Sequence, residues 1–125
     1  MTKIITIPDL EMLIAKHGMK AFFRDLIHYL REDFGRWESF HKIPRVAAHV
    51  PHGVIELMPV WDDQYYSYKY VNGHPNNPKT GHLNVVGFGM LADVATGYPI
   101  LLSEMTVLTG IRTAATSALA ADLLC

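Results

Sequence analysis

The hydrophobic pattern changes period three times along the chain, and each change marks a structural element. Residues 3–7 (Lys-Ile-Ile-Thr-Ile) read as a short β segment. Pro8 then suits the first turn of a helix through Asp9–His17, and Gly18 is a stop. From Met19 to about Trp37, the residues Phe22, Phe23, Leu26, Ile27, Leu30 and Phe34 recur at helical spacing. Arg24, Asp25, Arg31, Glu32 and Asp33 fill the other side, so this helix is expected to cover a sheet.

The middle of the chain is rich in β-formers. Arg45–Val50, Val54–Trp61 and Tyr65–Val71 are separated by Pro51-His52-Gly53 and by Asp62-Asp63, both turn signals. A loop follows through Asn72-Gly73 and His74–Pro78. Two more strands are expected near Asn84–Asp93 and Tyr98–Leu102, joined by Ala95-Thr96-Gly97. Short connections between consecutive strands imply antiparallel neighbours. From Thr106 to Leu124 the pattern becomes an alanine-rich helix. The expected class is α+β, a mostly antiparallel sheet covered by helices.

Composition narrows what such a domain can do. The 125 residues give room for one domain, residues 1–125, and 50% of them are hydrophobic. Mean hydropathy is +0.12. The charged fraction, 18%, lies below the ~25% usual in soluble domains, so apolar surface is expected to remain for a partner. Lys and Arg number 11 against 12 Asp and Glu, for a net charge of -1. That balance removes the electrostatic basis for non-specific nucleic-acid binding or a polybasic membrane anchor. The single cysteine, Cys125, forms no internal disulfide, and a reducing cytoplasmic setting fits. Pro8, Asp9 and Glu11 interrupt any signal-peptide core. No uninterrupted apolar run approaches the ~18 residues of a membrane span, so no spanning helix is expected.

Charges set against an apolar pattern are the informative residues, because burying one without a partner costs several kcal/mol, about 3–5 when one member of a buried pair is lost. Glu56 lies in Val54-Ile55-Glu56-Leu57-Met58 and by alternation shares a face with Val54 and Met58. Either it faces solvent on an edge strand, or it requires a cation, a ligand amine or a water. Lys69 shares its face with Ser67 and Val71, while Tyr66, Tyr68 and Tyr70 take the other. It points either to water or into a cleft above the sheet. Arg112 falls in the first two turns of the last helix, beside the positive end of its macrodipole. A bound anion would account for that placement, and an exposed or structural arginine is the alternative. Arg45, opening a strand after Pro44, is a fourth candidate.

Two motifs are set aside. Gly87-Phe88-Gly89-Met90-Leu91-Ala92 matches a loose dinucleotide fingerprint, but Thr96-Gly97-Tyr98-Pro99 leaves no room for the helix it must open. The glycines read instead as strand residues that permit close backbone approach. His49 and His52 flank Pro51 rather than sharing a helix face, and no third ligand is spaced to join them, so no metal site is expected.

Four stretches carry a family resemblance: Gly53-Val-Ile-Glu-Leu-Met-Pro59, Tyr68-Lys-Tyr-Val-Asn-Gly-His-Pro75, Leu91-Ala-Asp-Val-Ala-Thr-Gly-Tyr-Pro99 and Arg112-Thr-Ala-Ala-Thr-Ser-Ala-Leu-Ala-Ala121. Together they resemble the N-terminal part of the ornithine cyclodeaminase/mu-crystallin family. His74 and Glu56-Leu-Met-Pro are more similar to its bacterial ornithine cyclodeaminase branch. The resemblance implies conversion of L-ornithine to L-proline and ammonia, dependent on NAD without net redox. It implies that Arg45 and Lys69 hold the substrate carboxylate and that Glu56 lies near the reacting amine. Arg112 would serve the carboxylate or the cofactor phosphates. Asn84, where the family usually carries Thr, would lie near the cofactor.

The family's Rossmann domain follows the alanine-rich helix, and no counterpart of it occurs in these residues. The resemblance therefore implies a substrate-binding and dimerisation portion that is inactive and free of NAD alone, partnered by a second copy or a separate Rossmann chain. Outside that reading stand a non-catalytic oligomerisation or small-molecule-binding module, and part of a related ketimine reductase.

Overall fold

In the computed structural model, which describes residues 1–125, the chain opens on a three-residue strand, β1 (Lys3–Ile5). Thr6 then caps α1 (Ile7–His17). The Asp9 amide donates to the Thr6 hydroxyl oxygen at 3.4 Å, and Asp9 Oδ2 takes the Thr6 amide at 2.9 Å. This reciprocal pair satisfies amides that any helix start leaves without partners. It also starts the helix two residues ahead of Asp9, with Pro8 in the first turn.

Gly18, at φ +86°, ends α1 and leads into α2 (Met19–Gly35). The helix expected to reach Trp37 stops at Gly35. Arg36 leaves helical conformation at φ −107°, and its guanidinium is held by Asp33 at 2.9 Å and Asp62 at 3.0 Å. A 3-10 turn, Trp37–Ser39, follows. Asp62 in turn accepts the amides of Gln64 and Tyr65 at 2.9 and 2.8 Å, closing the turn between two strands. These backbone donors, and then Arg36, hold its carboxyl below the ordinary aspartate range.

Seven strands make one sheet: β1, β2 (His41–Lys42), β3 (Val46–Val50), β4 (Gly53–Trp61), β5 (Tyr65–Gly73), β6 (Gly87–Asp93) and β7 (Pro99–Glu104). Their order is β1-β7-β6-β5-β4-β2, with β3 also on β4, nearer Gly53. Every pair is antiparallel except β1 beside β7. The strand expected from Asn84 begins only at Gly87. There the Val86 amide donates to Asn72 Oδ1 at 2.7 Å, so a side chain replaces the ladder's backbone acceptor.

Register decides which residues share a face. Glu56 lies opposite Val71, and Met58, Lys69, Gly89 and Ser103 form one row. Cross-strand partners project to the same side, as do Glu56 and Met58 along β4. Glu56, Lys69 and Gly89 are therefore on one face, and α3 (Thr106–Leu124) packs there with Ala115 and Leu119 buried. Gly89 lets it approach: a Cβ would lie 3.1 Å from Met105 Cγ and 3.3 Å from the Tyr68 carbonyl.

The opposite face carries Leu57, Tyr70 and Phe88 in one row and Pro59, Tyr68, Met90 and Leu102 in the next. Tyr70 stacks on Phe88 with ring centroids 5.2 Å apart, yet Leu57 and Phe88 stay 41% and 44% exposed. Only six residues in the chain are buried, and the accessible surface is 8867 Å². A folded monomer of this mass exposes about 6,700 Å². Large apolar side chains add to that surface, among them Leu57, Phe88, Met12 and Leu124.

By length and composition α3 also meets the requirement for crossing a membrane, with 19 residues and a mean hydropathy of 1.2. No uninterrupted apolar run marks it, because Arg112, Asp122 and several Thr and Ser residues break the run while the average over the helix stays apolar. In the fold the helix packs on α2, where Arg31 pairs with Asp122.

Candidate ligand-binding site

β4 is flanked by β5 on one side and by β3 and β2 on the other, so Glu56 is not on an edge. Its side chain is only 18% exposed and needs a partner, which Arg45 supplies. Ala47 pairs with Glu56 across β3–β4, and Arg45 stands two residues earlier on the same side. Arg45 Nη1 lies 3.1 Å from each carboxylate oxygen of Glu56.

Lys69 turns into the space beneath α3 rather than toward water. Its Nζ donates to Thr109 Oγ1 at 3.5 Å, and it forms no ion pair. Burial, then the charges of Arg112 and Arg45, push its ammonium below the ordinary lysine range, while Glu56 opposes them. Lys69 thus lies within reach of the charges of Arg45, Glu56 and Arg112.

Arg112 follows Thr109 by three residues on α3, which places both on one side of the helix. It borders a cleft of about 580 Å³ between the end of α2 and the sheet, with Trp37, Trp61, Ser67 and Leu91 among the walls. No carboxylate pairs with it.

One part of the expectation for Arg112 is corrected. The N-terminus of α3 does not await an anion, because Glu104 already supplies one. Glu104 Oε2 accepts the amides of Thr106 and Val107 at 2.9 and 3.1 Å, and Oε1 accepts that of Leu108 at 3.0 Å. Those amides and the dipole's positive end are satisfied from within the chain. What remains for a ligand is the guanidinium itself.

Asn84 stands apart from this cluster, in the exposed bend before β6, where its carbonyl accepts the His74 amide at 2.9 Å. His52 occupies the β3–β4 turn at φ +68°, and no grouping of His, Cys, Asp and Glu is arranged to hold a metal. Thr109 and Glu104 were not legible as site residues. The only hint was a glutamate two residues ahead of a helix start, and nothing in the spacing linked Thr109 to Lys69.

Three cations around one carboxylate leave a positive excess, suited to a ligand carboxylate, which arginine and lysine can hold through charge-assisted hydrogen bonds. Neither the Gly87–Ala92 pattern nor the α3 N-terminus offers a dinucleotide cradle. Gly87–Ala92 lies inside β6 instead of opening a helix, and Glu104 occupies the α3 amides that could receive a pyrophosphate.

The sequence profile of the ornithine cyclodeaminase/mu-crystallin family matches residues 11–125. The chain belongs to the ornithine cyclodeaminase/mu-crystallin family. Its similarity to "Ornithine cyclodeaminase" of Agrobacterium fabrum (strain C58) is 55% identity over 120 residues, covering 96% of this chain and 34% of that protein. Among solved structures, a lysine cyclodeaminase described as recognising L-lysine, L-ornithine and L-2,4-diaminobutyric acid superposes with a TM-score of 0.83. It is 26% identical and is matched over 94% of this chain and 36% of its own. An archaeal alanine dehydrogenase dimer with bound NAD gives a TM-score of 0.74 at 28% identity, over 92% of this chain and 34% of that one. Within the ornithine cyclodeaminase/mu-crystallin family, then, this chain spans about a third of the length of the relatives it matches.

Proposed function

We propose that residues 1–125 form the substrate-binding and dimerisation portion of an ornithine cyclodeaminase, a cytoplasmic lyase. The complete enzyme would convert L-ornithine to L-proline and ammonia, with NAD as its cofactor and no net redox change. The observation that carries this reading is that Lys69, turned toward Thr109 of α3, feels the charges of Arg112, Arg45 and Glu56, with Arg45 and Glu56 paired beside it. The 55% identity to a relative of that name supports the substrate.

In this reading Lys69 and Arg45 receive the substrate carboxylate. Arg45 can do so while still paired, because Glu56 engages Nη1 and leaves Nη2 and Nε to donate. Arg112 serves the carboxylate or a cofactor phosphate from the α3 side. Glu56 would pair with the substrate's amino group or accept a proton from it. Asn84 would touch the cofactor from a second element. Because these residues build no dinucleotide cradle, the chain by itself is expected to bind no NAD and to turn nothing over.

Calorimetry with L-ornithine tests the central point. Binding that is lost in Lys69→Ala and Arg112→Ala supports the site, and binding undiminished in both overturns it. Adding a separately expressed Rossmann portion of a family member should restore NAD binding and turnover. A chain that makes proline without it contradicts the reading.

A second reading, an oligomerisation module, is favoured by the aromatic face around Tyr70 and Phe88 and by the surface excess. Sedimentation of the wild type and of Phe88→Asp tests it: a dimer reduced to a folded monomer supports that use of the face. A monomer in both speaks against it. Part of a related ketimine reductase would share the scaffold, and L-ornithine failing where a cyclic imino acid binds would favour it.

A further inference from the structure

We propose that Thr109 is a positioning residue for Lys69, its hydroxyl holding the ammonium on the side of the sheet from which a ligand carboxylate is received. The proposal rests on the carboxylate-site reading above and adds a residue to it. Lys69 leaves β5 in the same row as Met58 and Gly89. Gly89 contributes no side chain, and Met105 fills the space above it, 3.1 Å from where a Cβ would stand. From this row the lysine side chain reaches up to Thr109 on α3, the ammonium's one hydrogen-bond partner.

A lysine ammonium has three N–H donors, and Thr109 takes one. The groups facing it are Glu56 from β4, Arg45 ahead of β3, and Arg112 with Thr109 on α3. None of the three charged groups bonds to it directly. A neutral hydroxyl can fix the amine's direction without neutralising it, so two donors and the full positive charge stay available. A carboxylate at Thr109 would pair with the lysine and spend both. Thr109 itself is fixed from behind, since its carbonyl accepts the Thr113 hydroxyl at 2.8 Å and its amide donates to the Met105 carbonyl at 3.0 Å.

The test is the titration of Lys69 followed by NMR in protein carrying ¹³Cε-lysine, with its signal among the six lysines identified from the spectrum of Lys69→Arg. The hydroxyl oxygen favours the charged amine, so Thr109→Val is expected to lower the midpoint by about half a unit. Thr109→Ser restores it, and Thr109→Ala, which also lowers it, guards against a folding defect peculiar to valine. L-ornithine raises the midpoint in the wild type and raises it less in Thr109→Val. A midpoint unmoved in both apolar variants, or moved equally by serine, overturns the positioning role. A midpoint that follows Thr109 while L-ornithine moves nothing keeps the positioning role and overturns the carboxylate reading beneath it.

Discussion

Arg45 meets Glu56 through one nitrogen, Nη1, placed 3.1 Å from both carboxylate oxygens, and this joins the start of β3 to the middle of β4. Glu56 is mostly covered while Arg45 is 58% exposed, so the pair is neither a surface ion pair nor a buried one. Its contribution should fall between those limits. A double-mutant cycle of Arg45→Met and Glu56→Gln in urea unfolding is expected to give a coupling of about 1 kcal/mol. Strictly additive effects would mean that the pair is incidental.

Burial, and after it the neighbouring Arg112 and Arg45, make the charge of Lys69 a cost to the unliganded fold. Its ammonium is pushed below the ordinary lysine range, so near neutral pH the folded state holds an unfavourable charge. The folded protein releases this proton at lower pH than the unfolded chain does. Between those two midpoints the unfolded state binds more protons, and stability rises with pH. Lys69→Met should therefore stabilise the chain at pH 7, with the advantage shrinking as pH climbs toward 10.5, the unperturbed value. Thermal melts at several pH values check this. An advantage independent of pH would trace to packing instead.

At Gly89 the sheet makes room for the side chain of Met105, the residue that leads into α3. Gly89→Ala sets a methyl against Met105 and the Tyr68 carbonyl, and is expected to cost about 1–3 kcal/mol by overpacking. Met105→Ala in the same chain should recover part of that loss, because the side-chain contact can yield and the carbonyl cannot. Denaturant midpoints of the two variants and the double variant decide the matter, and no recovery would place the strain at the backbone alone.

Glu104 caps three amides at once. Glu104→Ala should destabilise by about 1–2 kcal/mol and speed amide exchange at Thr106, Val107 and Leu108 before the rest of α3. Exchange spread evenly along the helix would show that the cap is not what anchors this end. If the cap is lost and added phosphate slows exchange there, the freed N-terminus has become the anion site that Glu104 forestalls.

Much of this was written locally. The switch from helical to two-residue period located α2 and β3 to β5, since each repeat reflects a side chain's own backbone geometry. Pro51-His52-Gly53 and Asp62-Asp63 marked turns because their conformational preferences are their own. Glu56, Lys69 and Arg112 stood out as charges in apolar surroundings, and four short motifs sufficed for the family. Element ends were harder to read. The regular ladder stops short of Val86 because the Asn72 side chain, fourteen positions away, takes its amide while its carbonyl still accepts the Asn72 amide, and α2 stops where Arg36 finds Asp62 across the fold.

What the sequence by itself determined, then, is the elements, the α+β class, the family and which residues could share a face. Alternation put Lys69 with Ser67 and Val71, but it holds equally for either side of a sheet and cannot say which side α3 covers. Strand register and the packing of α3 over Gly87 and Gly89 decided that, and with it the pairing of Arg45 with Glu56 and the contact of Lys69 with Thr109. The same packing gave the α3 terminus to Glu104. These are contacts between residues distant in the chain, set by how a sheet and a helix bury surface together, and no periodicity within one segment records them.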